Sequence, residues 1–372
     1  MSDLPPAAPA LPAATWEACL PEGPLDLVGD VHGEYEALVA LLGHLGYDRA
    51  GRHPQGRFLV FVGDLGDRGP NSPGVIALVR RLVREGRAEC LLGNHELNLL
   101  RGDRKDGNDW FWNEDAPADR KYHPWATLPG RGESPERAAV RGFLLRRPLV
   151  AHRADLRVVH AAWHPGALAQ LRLLPSGRDL LWQFEALDLL IAKKLHERGL
   201  ASRHAQEMLI WGPRMQDPVA SMPALPAVAA ADELRQMAHP VRVLTSGVER
   251  AAEKPFFTSG RWRFVQRHPW WMDYDDEVPV VTGHYWRSFQ PLDRAGLGKS
   301  GPDLFAGVHP LSWLGPRRRV FCVDYSAGAL YRRRQPGHEA AGGSATGALA
   351  ALRWPERTLM THEGRSAPTR GF

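Results

Sequence analysis

The sequence contains few cysteines and no long apolar run, and both absences narrow the classes of protein to which it can belong. Its 372 residues include only Cys19, Cys90 and Cys322, too few and too scattered for a disulfide framework or a cysteine zinc site. No stretch of about 18 uninterrupted apolar residues occurs, which argues against a transmembrane helix. The N-terminus lacks the basic start and the apolar centre of a secretory signal, so we expect a reduced, cytoplasmic protein.

The sequence also lacks a strong charge of either sign. Its 47 Lys and Arg oppose 42 Asp and Glu, giving a formal net charge of +5, and 44% of the residues are hydrophobic. This composition is typical of a soluble globular protein. Short arginine runs at 317–319 and 332–334 favour a solvated surface over a nucleic-acid footprint. We therefore expect neither a membrane nor a nucleic acid as a partner, and the oligomeric state stays open.

Apolar runs alternate with helical patterns between residues 21 and 335, which predicts one α/β domain. Residues 1–20 are rich in Pro and Ala and predict a flexible leader, and the change of composition over 336–372 predicts a flexible C-terminal tail. Two segments interrupt the alternation, at about 102–137 and at 165–240, the second with a helical pattern. Long insertions in α/β domains lie over the strand ends, so we expect both segments to cover the site.

Five polar segments share one position, directly after an apolar run that predicts a buried strand. Ligands of α/β sheets bind at the carboxyl ends of the strands, where these segments fall. Their mixture of Asp, His and Asn without cysteine suits borderline divalent metals such as Mn, Fe, Zn or Co. Each segment alone is typical of a turn, a helix cap or a core histidine, and their joint occurrence indicates a metal site. The segments are Gly29–Gly33, Gly63–Gly69, Gly93–Glu96, Val159–Ala161 and Gly283–His284.

The motifs GDVHG, GDLGDRG and GNHE, which contain Asp30, Asp64 and Asn94, resemble those of the calcineurin-like metallophosphoesterase superfamily. The resemblance is to its bacterial phosphoprotein-phosphatase and symmetrical diadenosine-tetraphosphatase branch, and it covers roughly residues 24–162 and 278–334. It implies an α/β fold of two stacked mixed β-sheets flanked by helices, with a two-metal centre between the sheets. We place the helical insertion near that centre.

The resemblance implies two divalent ions per chain, with manganese expected first and iron, zinc, cobalt or nickel as alternatives. Two ions about 3.5–4 Å apart need a bridging carboxylate and can share a hydroxide that attacks phosphorus in line. Trp286 stands where broader superfamily members have a second histidine, so the first ion would have three protein ligands. The implied ligands are Asp30 and His32 on the first ion, Asp64 as the bridge, and Asn94, His160 and His284 on the second.

The same resemblance implies residues that handle the substrate. Arg68 corresponds to a phosphate-clamping arginine, because a guanidinium can hold two phosphate oxygens at once. Asn94 is expected to contact the same phosphate, and Arg214, which follows a Trp-containing segment, is the expected second clamp. His95 would be paired with Asp67, whose carboxylate orients the imidazole so that it donates a proton to the leaving-group oxygen.

The implied activity is hydrolysis of a phosphomonoester, carried by a phosphoprotein or by a small phosphorylated molecule. A dinucleoside-polyphosphate hydrolase is an alternative, since the same motifs serve both reactions. A non-catalytic phosphate-binding regulatory module is an alternative of another class, and loss of a metal ligand would favour it. Polynucleotide repair phosphatases with these motifs usually carry a kinase motif Gly-x-x-x-x-Gly-Lys-Ser/Thr, which this sequence lacks.

Overall fold

A computed structural model of the chain describes residues 16–112, 122, 125–129, 132, 134–175, 179–290, 294, 301–335 and 347–372. Its strands are β1 (Glu17–Cys19), β2 (Leu25–Val28), β3 (Phe58–Phe61), β4 (Ala88–Cys90), β5 (Val150–Arg153), β6 (Leu156–Val159), β7 (Glu249–Thr258), β8 (Arg261–Arg267), β9 (Val280–Thr282), β10 (Val320–Cys322), β11 (Ala350–Trp354), β12 (Thr358–Thr361) and β13 (Ser366–Pro368). Its helices are α1 (Tyr35–Leu45), α2 (Ser72–Arg84), α3 (Asn94–Arg101), α4 (Asp109–Trp112), α5 (Pro135–Leu144), α6 (Pro165–Arg172), α7 (Leu180–Glu197), α8 (Leu200–Trp211), α9 (Pro226–Met237) and α10 (Pro240–Ser246).

Two mixed sheets form the body of the fold. The first has six strands in the order β13-β12-β11-β2-β3-β4, in which β2, β3 and β4 are parallel and the other three antiparallel. The second has five strands in the order β1-β5-β6-β9-β10, in which β6, β9 and β10 are parallel. A separate antiparallel hairpin is formed by β7 and β8. None of the helices in the described part of the chain is both long and apolar enough to cross a membrane.

The alternation of side chains along β3 explains why the two sheets stack. Val60 and Val62 point to a buried layer that they share with residues of the five-stranded sheet, Val158 among them. Leu59 and Phe61 point the other way and pack with the apolar stripes of α1 and α2. Successive side chains of a strand face opposite sides, so one strand serves both layers. The predicted fold class, two stacked mixed sheets flanked by helices, is confirmed.

The predicted strands and helices that lead to the site are also confirmed. The helical spacing of leucines after the first motif becomes α1, with Leu38, Leu41 and Leu45 buried. The pattern after the second motif becomes α2, and Gly86 follows its end at φ 67°, a left-handed conformation that glycine adopts without strain. Each helix returns the chain to the start of the next parallel strand, so the strand ends that carry the motifs lie together.

The prediction of a flexible C-terminal tail over 336–372 is wrong for residues 347–372, whereas residues 336–346 lie outside the described ones. Strand β11 pairs with β2 in the register Leu352 to Leu27, and β12 and β13 extend the sheet. Ala350 and Leu352 are fully buried between the sheets, and Ala351 is fully buried on the other face. Because both faces of β11 are covered by small and aliphatic residues, its sequence shows no alternation of polar and apolar positions.

The prediction of a flexible leader over 1–20 is wrong at its end, and residues 1–15 lie outside the described ones. Residues Glu17–Cys19 form β1, which runs parallel to β5. The carbonyl of Trp16 accepts hydrogen bonds from the amides of Leu149 and Val150. An edge strand of three residues carries too short a pattern to be predicted from sequence.

Candidate metal centre

Six of the predicted site residues lie at the ends of the parallel strands or directly after them. They come from both sheets, so the site occupies the edge at which the two sheets meet. All but Asn94 are buried to at least 95% of their surface. The structure brings together Asp30 and His32 after β2, Asp64 after β3, Asn94 after β4, His160 after β6 and His284 after β9.

Asp64 lies at the centre of this cluster. Its Oδ2 atom is 3.4 Å from Nε2 of His160 and 3.9 Å from Nε2 of both His32 and His95. Two groups of three metal-type side chains share Asp64, namely His32–Asp64–His95 and Asp64–His160–His284, with ligand atoms in each group within 4.8 Å of one another. A carboxylate common to two donor groups has the position of a bridging ligand.

The histidine rings are held by their Nδ1 atoms, which leaves the Nε2 atoms directed to the cluster. Nδ1 of His32 is 3.2 Å from the carbonyl of Gly66, and Nδ1 of His160 is 2.9 Å from the carbonyl of Val62. A carbonyl only accepts, so each Nδ1 donates a proton to it, and Nε2 is the ring atom that remains for a metal ion. Backbone carbonyls orient metal-binding histidines in this way.

His284 provides the clearest sign that the donor set suits a metal. Its Nε2 atom is buried and has no hydrogen-bond partner among the described residues. Burial, and then the charge of Arg267, lower the pKa of His284 well below its ordinary value, so the ring is neutral and has a lone pair. A buried polar atom without a partner is costly, and a divalent ion beside Asp64 would satisfy it.

The carboxylates of the cluster are strongly coupled to their surroundings. Burial raises the pKa of Asp30 well above its usual range, and the nearby Asp324 carboxylate adds to the shift. Burial opposes ionisation of Asp64 as well, but the charges of His160 and His95 outweigh it and hold the pKa of Asp64 well below its usual range. Buried acids that repel one another are stabilised by a cation, which fits the metal site.

Backbone strain is concentrated in the same place. Five non-glycine residues of the motifs have positive φ angles: His32 (47°), Asp64 (49°), Asp67 (74°), Arg68 (66°) and His284 (70°). Such conformations cost about 1–3 kcal/mol each and persist where the surrounding structure imposes them. The strained turns place these side chains into the cluster rather than along the strands.

Glu96, the last residue of the GNHE motif, is buried and fixes the backbone of the site, a role that the motif resemblance did not predict. Its carboxylate accepts hydrogen bonds from the amides of Asp64 and Leu65 at 2.8 Å, and from the amide of Gly93 at 2.9 Å. Glu96 thereby joins the end of β3 to the start of α3. The signal was present in the sequence, because a Glu three positions after the helix cap is typical of a capping box.

Asp324 also fixes the backbone of the site through hydrogen bonds. Its two carboxylate oxygens accept from the amides of Trp286 and Ser326, each at 2.7 Å. Asp30, in turn, accepts from the amide of His284 at 3.1 Å. These bonds fix the turn after β9 against the turns after β2 and β10.

His95 and Asp67 form the predicted pair. Nδ1 of His95 is 2.5 Å from Oδ2 of Asp67, whose Oδ1 accepts from Nε1 of Trp110 at 2.7 Å. The amide of Asp67 donates to Oγ of Ser72 at 2.9 Å. Nε2 of His95 borders both the cluster, 3.9 Å from Oδ2 of Asp64, and the adjoining crevice. Trp110 is buried and holds the carboxylate of Asp67 in place.

Arg68 lies where a phosphate clamp is expected. Its Nη1 is 3.0 Å from Nε2 of His32 and its Nη2 is 3.1 Å from Nε2 of His95. Its guanidinium carbon is 4.8 Å from the ring centroid of Trp286, which supports the planar group from one side. Arg68 therefore borders both the metal cluster and the crevice.

Arg214, the expected second clamp, is not brought to the site. It is exposed in a short 3₁₀ turn after α8, with its guanidinium carbon 5.5 Å from the ring centroid of Trp211. The next residue, Met215, packs with Phe264 behind the β7–β8 hairpin, which directs this turn away from the crevice. Arg267, on β8, lies in the crevice instead. Sequence position alone could not distinguish the two arginines, since each follows a segment that contains a tryptophan, Trp211 or Trp262.

A crevice of about 1380 Å³ opens beside the cluster and includes Arg68 and His95 in its lining. Of the first insertion, Lys105, Asp106 and Tyr122 line it, whereas residues 113–121 are not among the described ones. No described residue of the second insertion, 165–240, lines it. The expectation that both insertions cover the site is therefore wrong for the second, which packs behind the hairpin.

The stacked sheets and the donor cluster at their strand ends define an α/β sandwich with a metal-binding centre. Residues 23–190 match the sequence model of the family described as calcineurin-like phosphoesterase. This match, which covers somewhat less than half of the chain, agrees with the resemblance carried by the motifs, and divalent ions are the cofactors that the matching family implies.

Individual relatives match a shorter part of the chain. Over 79 residues, the sequence is 49% identical to the asymmetrical bis(5'-nucleosyl)-tetraphosphatase PrpE of Halalkalibacterium halodurans, covering 20% of the chain and 32% of that protein. Over 74 residues, it is 43% identical to the symmetrical bis(5'-nucleosyl)-tetraphosphatase of Klebsiella pneumoniae, covering 20% of the chain and 24% of that protein. The matches thus span about a third or less of these relatives. A cold-active protein-tyrosine phosphatase of a Shewanella species is 15% identical, with a TM-score of 0.45 over 99% of this chain and 89% of that one.

Proposed function

We propose that the protein is a hydrolase that cleaves phosphomonoesters with two divalent metal ions. The observation that supports this most is the position of Asp64, whose carboxylate belongs to two groups of buried metal-type donors at once. A protein that bound a single structural ion would not need a second donor group on the same carboxylate. The cytoplasmic location stays a prediction of the sequence.

The residues present can accommodate two ions. Asp30 and His32 would hold the first ion, Asp64 would bridge, and the second ion would be held by Asn94, His160 and His284. When bound, two such ions lower the pKa of water and neutralise charge on the phosphoryl oxygens. Imidazole, amide and carboxylate donors without thiolate suit Mn, Fe, Zn, Co or Ni, and manganese is our first expectation.

Arg68 would bind the phosphoryl group of the substrate. Its two terminal nitrogens reach both sides of the cluster, and a guanidinium forms two parallel bonds to phosphate oxygens. Asn94 would contact the same group, since its side chain borders His160, with Oδ1 3.3 Å from Nε2. Arg267 takes the place that we had expected for Arg214, beside His284.

His95 would donate the proton that the leaving group needs. With Nδ1 fixed on the Asp67 carboxylate, Nε2 faces the crevice and is the atom that would pass the proton on. Transfer of that proton to the ester oxygen avoids the release of an alkoxide. Asp67 orients the ring.

A dinucleoside-polyphosphate hydrolase is the second candidate function. The names of the two tetraphosphatase relatives support it, although the chain spans only 32% and 24% of their lengths. The size of the crevice, about 1380 Å³, also leaves room for a substrate larger than a simple phosphomonoester.

An activity panel on the chelator-treated protein with Mn²⁺ added tests both candidates. The probes are p-nitrophenyl phosphate, a phosphopeptide and diadenosine tetraphosphate, with Asp64→Asn as the control. We expect Mn²⁺-dependent phosphate release from p-nitrophenyl phosphate and from the phosphopeptide. Cleavage of diadenosine tetraphosphate alone would favour the second candidate. Binding of phosphate without turnover of any probe would contradict both and favour a regulatory binding module.

A further inference from the structure

The β7–β8 hairpin has two faces with different roles. Trp262 and Phe264 face the helical insertion, where Phe264 packs with Met215 and Val228. Arg263 and Arg267, at the alternate positions of β8, line the crevice. Since successive residues of a strand point to opposite sides, packing on one face fixes the direction of the arginines on the other. The helical insertion thereby supports a wall of the crevice without lining it.

Both arginines of this wall are without a direct polar contact to the described residues. Within the described part of the chain, neither Arg263 nor Arg267 makes a side-chain hydrogen bond or an ion pair, and Arg267 only approaches the ring of Tyr285, at 5.8 Å. Burial, and then the charge of Arg261, lower the pKa of Arg263, although a guanidinium stays charged at neutral pH. The charge of Glu249, which also lines the crevice, acts on Arg263, but the two groups form no ion pair. A bound anion would make the direct contact that Glu249 does not make.

The two arginines lie at different distances from the metal cluster. Arg267 is near the metal cluster, since its charge lowers the pKa of His284. Arg263 lies four residues further along β8, about 13 Å away between Cα atoms at the usual rise of a strand. It faces Phe256 across the hairpin, and the side chain of Phe256 also lines the crevice. A substrate that reaches from the metal cluster to Arg263 therefore extends along the wall of the crevice.

We propose that Arg263 binds a second phosphoryl group of an elongated, small-molecule substrate while the first group occupies the metal centre. This inference rests on the proposed function, because it takes the metal centre as the place of the reacting group. The charge of the crevice agrees with it: among the described lining residues, seven Lys and Arg oppose three Asp and Glu. Arg263 is then a specificity-determining residue and takes no part in the chemical step.

Two matched probes, which differ only in the second phosphoryl group, measure the contribution of that group to binding. Hexyl phosphate carries one phosphoryl group, and hexane-1,6-diyl bisphosphate carries one at each end of the same chain. We expect the wild-type protein to prefer the bisphosphate by about tenfold in KM, as a charge-assisted bond provides. Arg263→Gln should abolish that preference and leave kcat/KM for hexyl phosphate unchanged, whereas Arg263→Lys should restore part of it.

Arg261→Gln is the control, because Arg261 is an exposed arginine on the same strand that does not line the crevice. It removes the same charge and should keep the preference. Equal KM values for the two probes in the wild type, or an unchanged preference in Arg263→Gln, would overturn the inference. Calorimetric binding of both probes gives the same comparison without turnover. A wild type that hydrolyses neither probe but binds the bisphosphate through Arg263 would contradict only the proposed function.

Discussion

Nδ1 of His95 lies 2.5 Å from Oδ2 of Asp67, and both groups are buried beside the crevice. The second oxygen of Asp67 accepts from Trp110, so the carboxylate cannot rotate away from the ring. The imidazole is therefore held with Nε2 toward Arg68 and the metal cluster. An imidazole fixed at Nδ1 with its Nε2 at the crevice has the arrangement that the proposed general acid requires.

The first prediction concerns this pair. His95→Asn should keep the metal ions and bind phosphate, and should lose about 10²–10⁴ in kcat on alkyl phosphates, whose leaving groups need a proton. The loss should be smaller on p-nitrophenyl phosphate, because nitrophenolate is a stable anion. Steady-state kinetics on both substrates measure the difference.

Asp67→Asn provides the matched control for His95. It keeps the size of the side chain and removes the charge that orients the ring, so it should reproduce most of the effect of His95→Asn. The double variant should lose little more than either single variant, since the two residues act as one unit. Equal losses on both classes of substrate would disprove the assignment of His95 as the acid.

The second prediction concerns Arg68. Arg68→Ala should lower kcat/KM by about 10²–10³, because the charge and the paired bonds to phosphate are lost together. Metal content, measured by elemental analysis, should stay as in the wild type. Arg68→Lys should recover only part of the loss, since an ammonium cannot make the two parallel bonds. An unchanged kcat/KM in Arg68→Ala would leave this arginine a structural role only.

The sequence was sufficient to predict the cluster of metal-type donors, and the reason is local. Each motif follows a buried strand directly, so the position of Asp64 or His160 depends only on where that strand ends. Parallel strands then bring those ends to one edge of their sheets. The role of Glu96 was also readable, from its place three residues after the helix cap.

The position of a second crevice arginine was not predictable from the sequence. Arg214 and Arg267 differ in how the β7–β8 hairpin packs on the helical insertion, a contact between segments far apart in the chain. The C-terminal strands were missed for another reason. Both faces of β11 are covered, so Ala350–Trp354 shows neither the alternation of an exposed strand nor a long aliphatic run.

The third prediction tests whether the C-terminal strands are part of the folded core. Leu352 is fully buried between the two sheets, so Leu352→Ala should lower the free energy of unfolding by about 2–4 kcal/mol. Leu209→Ala makes the same chemical change at a residue that is 82% exposed and should have almost no effect. Urea unfolding followed by circular dichroism measures both. Equal stability of the two variants would mean that the C-terminal strands contribute nothing to the fold.

The fourth prediction is a pH dependence of stability that originates at His239. This buried ring caps α10, where Nδ1 accepts from the amide of Arg242 and Nε2 donates to the carbonyl of Phe184. Burial, and then the charge of Arg242, lower the pKa of His239 to about 4. The unfolded chain takes up a proton below about pH 6.5 and the folded chain does not, so stability falls as the pH decreases through this window.

The comparison of wild type with His239→Gln isolates this effect. In chelator-treated protein, the wild type should be the more stable at pH 7.5. Its advantage should shrink by up to about 2 kcal/mol at pH 5, because only the wild type loses the contribution of a neutral His239. Urea unfolding at several pH values measures the advantage. A constant difference between the two proteins across this range would contradict the assignment.

The central claim is that the Asp64 carboxylate serves two metal ions, and metal content tests it most directly. Wild-type protein dialysed against Mn²⁺ should carry about two ions per chain by elemental analysis. Asp64→Asn should carry fewer than one, because loss of the bridge weakens both sites, whereas Asp276→Asn, an exposed carboxylate in an ion pair with Arg157, should keep both. If Asp64→Asn retained two ions and full turnover, Asp64 would not be the bridge.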